Sequence, residues 1–319
     1  MVSADALDRD AMRAPSGAPP AVRFGLMPRA AHLTVLSGLE MNVYDQATLG
    51  EGAVEVRIYD RSNGLSAAIR KGDVDLACVP LRVAVQLFQS MGEDAPRIVA
   101  GAAIGDERYV VRSGIAAFET LPFAPLRVGV LENPTMDLAK ALGIGTEDAP
   151  TARLVGESSA ARKLASHEID LAVLPEPLAA QVAALSSSRV EFGDDVPARR
   201  LVGGAVLIAT REFITENAPL LSRLVSSHVL SAAFVSNDRE FAIERATSIL
   251  KAYGVDVVPA LFWAQGISGI EFDPRIPRNR LDQLAGDAGD SSAGALIDDS
   301  FLIEAFAALE ESVKASEDE

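Results

Sequence analysis

Two stretches of the chain carry the same succession of short apolar runs and helix-period segments. Val22–Pro28 (VRFGLMP) is an apolar run closed by proline, the pattern of a buried strand feeding a loop. A helix over Ala30–Met41 follows, then the alternating strand Val54–Tyr59 (VEVRIY), then a helix over Gly64–Lys71 for which Ser62 and Asn63 offer N-caps. Gly72 closes that helix, and Asp73 turns the chain into a third strand, Val74–Val79. The order βαβαβ returns further on. Leu126–Leu131 (LRVGVL) predicts a strand, Thr135–Leu142 a helix, Ala152–Val155 a strand, Ser159–Ser166 a helix and Ile169–Leu174 a strand. The two copies align best at GDVDLACVP (Gly72–Pro80) and HEIDLAVLP (His167–Pro175), which set Asp75 beside Asp170 and Pro80 beside Pro175.

Parallel strands joined by helices cross over right-handedly and bury both sheet faces, which leaves a ligand site at the carboxyl ends of the strands. Two such sheets facing each other make a cleft, so the predicted fold class is a two-lobed α/β architecture. Arg108–Ser113 is expected to carry the chain to the second lobe and Leu201–Ala209 to bring it back, as a two-strand hinge. The expected organisation is a disordered lead-in at 1–21, a discontinuous first lobe at 22–110 and 205–319, and a second lobe at 111–204. Ala218–Val235, Arg239–Tyr253 and Ser300–Ser312 read as helices that pad the first lobe, with a polar loop at Gly286–Gly294.

Composition narrows the partners. Of 319 residues, 49% are apolar and 23% charged, which suits a folded chain of about two domains. The formal charge of −16, with no basic run longer than a pair such as Arg199-Arg200, argues against nucleic acid, whose binding needs clustered Lys and Arg. One cysteine, Cys78, excludes an intrachain disulfide, and His32, His167 and His228 lack the spacing of a zinc motif. Neither a metal nor a cofactor is expected. The stretch Met1–Ala21 has no apolar core of the length a secretory signal needs, and no run of about 18 uninterrupted apolar residues predicts a membrane span. A cytoplasmic location is therefore expected, or a periplasmic one if a native leader has been removed.

Several motifs in this order resemble the type II solute-binding proteins of the nitrate, sulfonate, taurine and thiamin-precursor group. They are Gly72–Ala77 (GDVDLA), Arg97–Ala100 (RIVA) with Tyr109–Arg112 (YVVR), Leu126–Val130 (LRVGV), Leu174–Pro177 (LPEP) and Asp298–Phe306 (DDSFLIEAF). The resemblance covers about residues 22–313. It implies a type II periplasmic-binding-protein-like (Venus flytrap) fold and a small-molecule ligand, anionic or polar organic, enclosed by lobe closure. The implied partner is an ABC transporter permease or, for a chain that stays inside the cell, a cytoplasmic signalling protein.

Candidate ligand residues are those at the strand-to-helix loops. Arg29 and His32 lie after the first strand, where helix N–H groups favour an anion that Arg29 could clamp. Ser62 and Asn63 follow the second strand, and Arg82 the third. In the second copy the matching loops hold Asn133 and Thr135, then Ser158 and Ser159, then Glu176. Arg82 and Glu176 are expected on facing loops, as ligand contacts or as an ion pair that closes the cleft. Each also has a structural reading, as a cap, a surface charge or a core group. No catalytic residue is expected of a binder. An enzyme on this scaffold, a lyase, dehydratase or desulfinase, would draw on Cys78 as nucleophile or Glu176 as base.

Overall fold

The computed structural model describes residues 22–49, 54–115, 126–131, 151–191, 203–287 and 293–317. Its frame is two five-stranded sheets of matching design. The first has strand order β2-β1-β3-β10-β4 and the second β7-β6-β8-β5-β9. In the first sheet β1 is Val22–Leu26, β2 Val54–Ile58, β3 Leu76–Pro80, β4 Arg97–Ile104 and β10 Gly204–Ala209. In the second, β5 is Glu107–Val111, β6 Arg127–Val130, β7 Thr151–Leu154, β8 Leu171–Pro175 and β9 Arg189–Glu191. Each sheet has three parallel strands, and the next strand in order, β10 or β5, runs antiparallel to the third.

The strands read as continuous apolar runs because both faces of each sheet are covered. In β3, Leu76 and Cys78 face one core while Ala77 and Val79 face another, and β10 divides Leu207 from Val206 and Ile208 in the same way. The second sheet repeats this, with Tyr109, Val128 and Leu171 on one side and Val110, Ala172 and Leu174 on the other. The helices Ala218–Asn237, Arg239–Ala252 and Ser300–Glu317 add Leu221, Ala246 and Phe301 to the larger first-lobe core.

The duplicated aspartates perform the same task. Asp75 accepts the backbone N–H of Arg23 at 2.8 Å and its Nε at 2.9 Å, while the Asp75 N–H donates to the Arg23 C=O. Asp170 does the same for Arg127 at 3.0 and 2.9 Å, and also accepts Arg112 Nε at 2.7 Å. Burial alone would raise the Asp170 carboxyl, but the hydrogen bonds from Arg127 and Arg112 hold it well below the usual carboxylate range. These knots tie the third strand of each lobe to the first at the end away from the cleft.

Three expectations shift. The segment Arg108–Ser113 does not span the lobes: β4 lies wholly in the first sheet and β5 wholly in the second, so the chain changes sheets at Gly105–Asp106 and a boundary at residue 110 would cut β5. Gly105 takes φ +83°, and its N–H donates to the Gly203 C=O, which draws the outgoing and returning chains together. The first helix opens as a 3₁₀ turn, Ala30–His32, before Leu33–Glu40. Ala218–Asn237 is long and apolar enough by composition to cross a membrane, although no such stretch is expected from the sequence; its apolar side is packed into the first-lobe core. The lead-in 1–21 and the helix expected at Thr135–Leu142 lie outside the described residues.

Candidate ligand cleft

The carboxyl ends of β1, β2 and β8 converge on one cavity of about 80 Å³ between the lobes. Pro28, Arg29 and Asp60 line it from the first two strand loops of lobe one, and Pro175, Glu176, Pro177 and Leu178 from lobe two. The C-terminal helical layer closes it with Leu250, Asp256, Val257, Val258 and Trp263.

The lobes touch here directly. The Ala30 N–H, at the start of the 3₁₀ turn, donates to the Glu176 C=O at 2.9 Å, and the Glu176 N–H donates to the Asp106 C=O at 2.8 Å. The Glu176 carboxylate accepts the Ala180 N–H at 3.1 Å and stands 3.7 Å from Arg108 Nε. It also lies against Gly266 at the end of the helix Ala260–Gly266: a Cβ built there would meet Glu176 Oε2 at 2.6 Å. Burial raises the Glu176 pKa to about 7, with the Ala180 N–H and the Arg108 charge opposing and Asp106 adding to the rise.

Beneath the cavity lies a cluster of charged groups of both signs. Arg82 pairs with Glu107, and Arg108 donates to the Gly105 and Glu107 carbonyls as well as facing Glu176. Asp106 is fully buried and its pKa is raised, first by burial and then by Glu107, against the charges of Arg29, Arg82 and Arg108. Three guanidinium groups thus face three carboxylates. Arg29, the expected anion clamp, also acts on Asp106, where its charge opposes the rise.

His32 is fully buried. Its Nδ1 accepts the Met27 N–H at 3.1 Å, which fixes the loop after β1, and burial followed by the charge of Arg29 lowers its pKa to about 3, so the ring is neutral. Arg82 pairs with Glu107 and Glu176 faces Arg108, so each has a partner on β5, where Glu107 and Arg108 sit beside β8 as the chain enters lobe two. Ser62 is the first residue of the helix Ser62–Arg70 rather than its cap, which is Arg61, and Asn63 is exposed. From this loop Asp60 lines the cavity instead. Ser159 serves its own helix, Glu157–Ala165, by accepting the Gly156 N–H at 3.1 Å. Ser158 lies in the first turn of that helix. Asn133 and Thr135 lie outside the described residues.

Cys78 does not reach the cleft. It is buried in the middle of the first sheet, opposite Leu207, and burial pushes its thiol pKa far up, next to the charge of Asp106. A thiol so placed is a small core side chain rather than a nucleophile. Asp60, Asp256 and Trp263 were not expected in the site. Asp60 stands within the second strand-to-helix loop and was open to a positional argument; the other two arrive from the non-repeated C-terminal layer.

No family model matches the sequence, and no curated protein matches it. Solved structures do. The ligand-binding component of an ABC-type import system from Staphylococcus aureus, solved with zinc bound, aligns at a TM-score of 0.72 with 15% identity, over 90% of this chain and 99% of that one. The periplasmic aliphatic sulphonate-binding protein SsuA from Escherichia coli aligns at 0.65 and 15% identity, over 85% and 86%. A DszB mutant in complex with biphenyl-2-sulfinic acid aligns at 0.61 and 14% identity, over 89% and 98%. The fold is therefore the two-lobed type II periplasmic-binding-protein-like fold.

Proposed function

We propose that this chain is a solute-binding protein that closes its two lobes over a small molecule in the cleft bounded by Arg29, Asp60, Glu176 and Trp263. The observation that carries this reading is the cavity itself. Both lobes line it, at the carboxyl ends of parallel strands, beside Gly105–Asp106, where the chain passes from the first sheet to the second. Arg29, Glu176 and the loops of Ser62 and Asn63, Arg82, Asn133 and Thr135, and Ser158 and Ser159 are the proposed ligand-facing set, with His32 holding the first loop in shape. Asp60, Asp256 and Trp263 join them. Binding energy that favours the closed arrangement over the open one drives closure.

Delivery of the ligand to an ABC permease is the use supported by the likeness to the import component and SsuA, and a protein in that use works outside the cytoplasm. A sensor read by a cytoplasmic partner uses the same closure. Catalysis has one observation in its favour, the Glu176 carboxyl poised near neutrality in the cleft, where it could take a proton. A small-molecule thermal-shift screen, followed by small-angle scattering with and without each hit, tests the binding reading: a ligand should raise the melting temperature and favour the compact form. Consumption of a hit by the wild type but not by Glu176→Gln would replace binding with catalysis.

A further inference from the structure

The charges that line the cleft do not balance. Four of the described lining residues are ionisable, Arg29, Asp60, Glu176 and Asp256, and three of these are acidic. The cationic one, Arg29, acts on buried Asp106, while Arg82 is taken by Glu107 and Arg108 faces Glu176. Asp60 and Asp256 stand outside this cluster. Both are exposed at the edge of the cavity, and neither has a cationic partner among the described residues. A carboxylate or sulfonate entering the cleft would pass two like charges at its edge. An ammonium group would find two carboxylates within a low-dielectric wall of proline, valine and leucine.

A second, independent observation comes from Trp263. It is 1% exposed, lines the cavity from the helix Ala260–Gly266, and its indole N–H has no hydrogen-bond acceptor among the described residues. Buried donors without acceptors are rare in folded proteins, because the lost hydration is not recovered. The missing acceptor is naturally supplied by a ligand in the cavity that Trp263 lines. Indole is also the side chain whose ring face best attracts a cation.

We propose that the cleft selects a small amine-bearing, cationic organic ligand that also offers a hydrogen-bond acceptor, with Asp60 and Asp256 drawing the ammonium group and Trp263 donating its N–H to the acceptor. This rests on the binding reading above and narrows its ligand from anionic or polar to cationic. It separates the chain from the sulphonate-binding SsuA with which it shares its fold.

Trp263 is the only tryptophan in the chain, so its fluorescence reports on the cavity alone. The test titrates the full chain with matched probes that differ in charge, namely the amine, alcohol, carboxylate and sulfonate of the butyl and benzyl series, following Trp263 emission and the melting temperature. The amines should bind at least tenfold more tightly than the matching anions. Asp60→Asn and Asp256→Asn, both at exposed positions, should each weaken amine binding about threefold, as expected for a partly screened ion pair, and leave the alcohols unchanged. If an anion binds as tightly as its amine and moves Trp263 emission, the charge selection is overturned while the binding reading stands. If amine binding is indifferent to both substitutions, the proposed contacts are overturned. If no probe of any class moves either signal, both the selection and the binding reading fall.

Discussion

Asp75 and Asp170 stand just before the third strand of their lobes and act in the same way, each accepting the backbone N–H and guanidinium of the arginine at the start of the first strand. At the other end of the same strands, Pro80 and Pro175 part company. After Pro80 the helix Leu81–Met91 begins at once, whereas after Pro175 two residues, Glu176 and Pro177, precede the helix Leu178–Ser186. Those two residues carry lobe two across to Ala30, Gly266 and the cavity. The repeat is kept where it anchors the sheets and departs where the lobes meet, so the site is written in the differences between the copies.

The largest expected effect comes from the added glutamate. Its folded pKa, about 7, lies above the ordinary value, so its contribution to stability is complete below about pH 4.5 and is lost as pH rises through 7. A shift of this size corresponds to roughly 3 kcal/mol. Urea unfolding between pH 5 and 8 should show stability falling with pH, and Glu176→Gln should flatten most of that slope and be the more stable protein at pH 8. Asp106, whose carboxyl is also raised, adds to the rise at Glu176, while the Arg108 charge opposes it. An unaltered slope in the Gln variant would move the titration from Glu176 to Asp106.

At the conserved-design end, Asp170→Ala leaves the Arg127 N–H and the Arg112 guanidinium without their acceptor, at a cost of about 2–3 kcal/mol. Asp75→Ala should cost less, because Asp75 serves one arginine and Asp170 serves two. The lowered pKa of Asp170 gives the opposite pH sign to Glu176: its stabilisation is present above about pH 4 and disappears as pH falls through the lowered value. Equal losses in the two alanine variants would show that Arg112 adds nothing. A smaller effect, about 1–2 kcal/mol, is expected for Gly266→Ala, whose added methyl would press on Glu176 and favour separation of the lobes over unfolding. Scattering should report a larger radius of gyration, and ligand affinity should fall by about tenfold.

How much of this was open to sequence reasoning follows from the range of each interaction. Strands buried on both faces leave apolar runs that any reader can see, and Asp-Leu-Ala with its following proline marks the repeat in one short string. The partner half of each knot, Arg23 and Arg127, stands in the quoted runs VRFGLMP and LRVGVL, but its meaning depends on an aspartate that only the fold brings beside it. Arg29 and Glu176 line the cavity because strand ends face the cleft as a rule of the topology, and Asp60 is missed by two positions because Ser62 looks like a cap. Asp256 and Trp263 come from outside the repeat, on the helix Ala260–Gly266 and the connection that precedes it, whose docking no local pattern encodes. Arg108 opens the stretch read as a hinge and Glu107 stands just before it, and both belong to a strand of the second sheet.

The helices that follow β2 and β7 offer the finest form of the same comparison. The lobe-one helix Ser62–Arg70 starts after an extended Arg61 with no side-chain cap bond. Its lobe-two counterpart Glu157–Ala165 starts after Gly156, whose N–H is held by Ser159 Oγ, which in turn donates to the Gly156 C=O at 3.0 Å. Ser159→Ala should therefore cost up to about 1 kcal/mol, the usual worth of an end-capping side chain, read as faster amide exchange in the first turn of that helix. Asn63→Ala, at the exposed second position of the lobe-one helix, should change neither exchange nor stability measurably. If Ser159→Ala instead leaves stability intact but weakens ligand binding, the hydroxyl exchanges its cap for the ligand on closure, and lobe two then reads its ligand through a helix start that lobe one does not use.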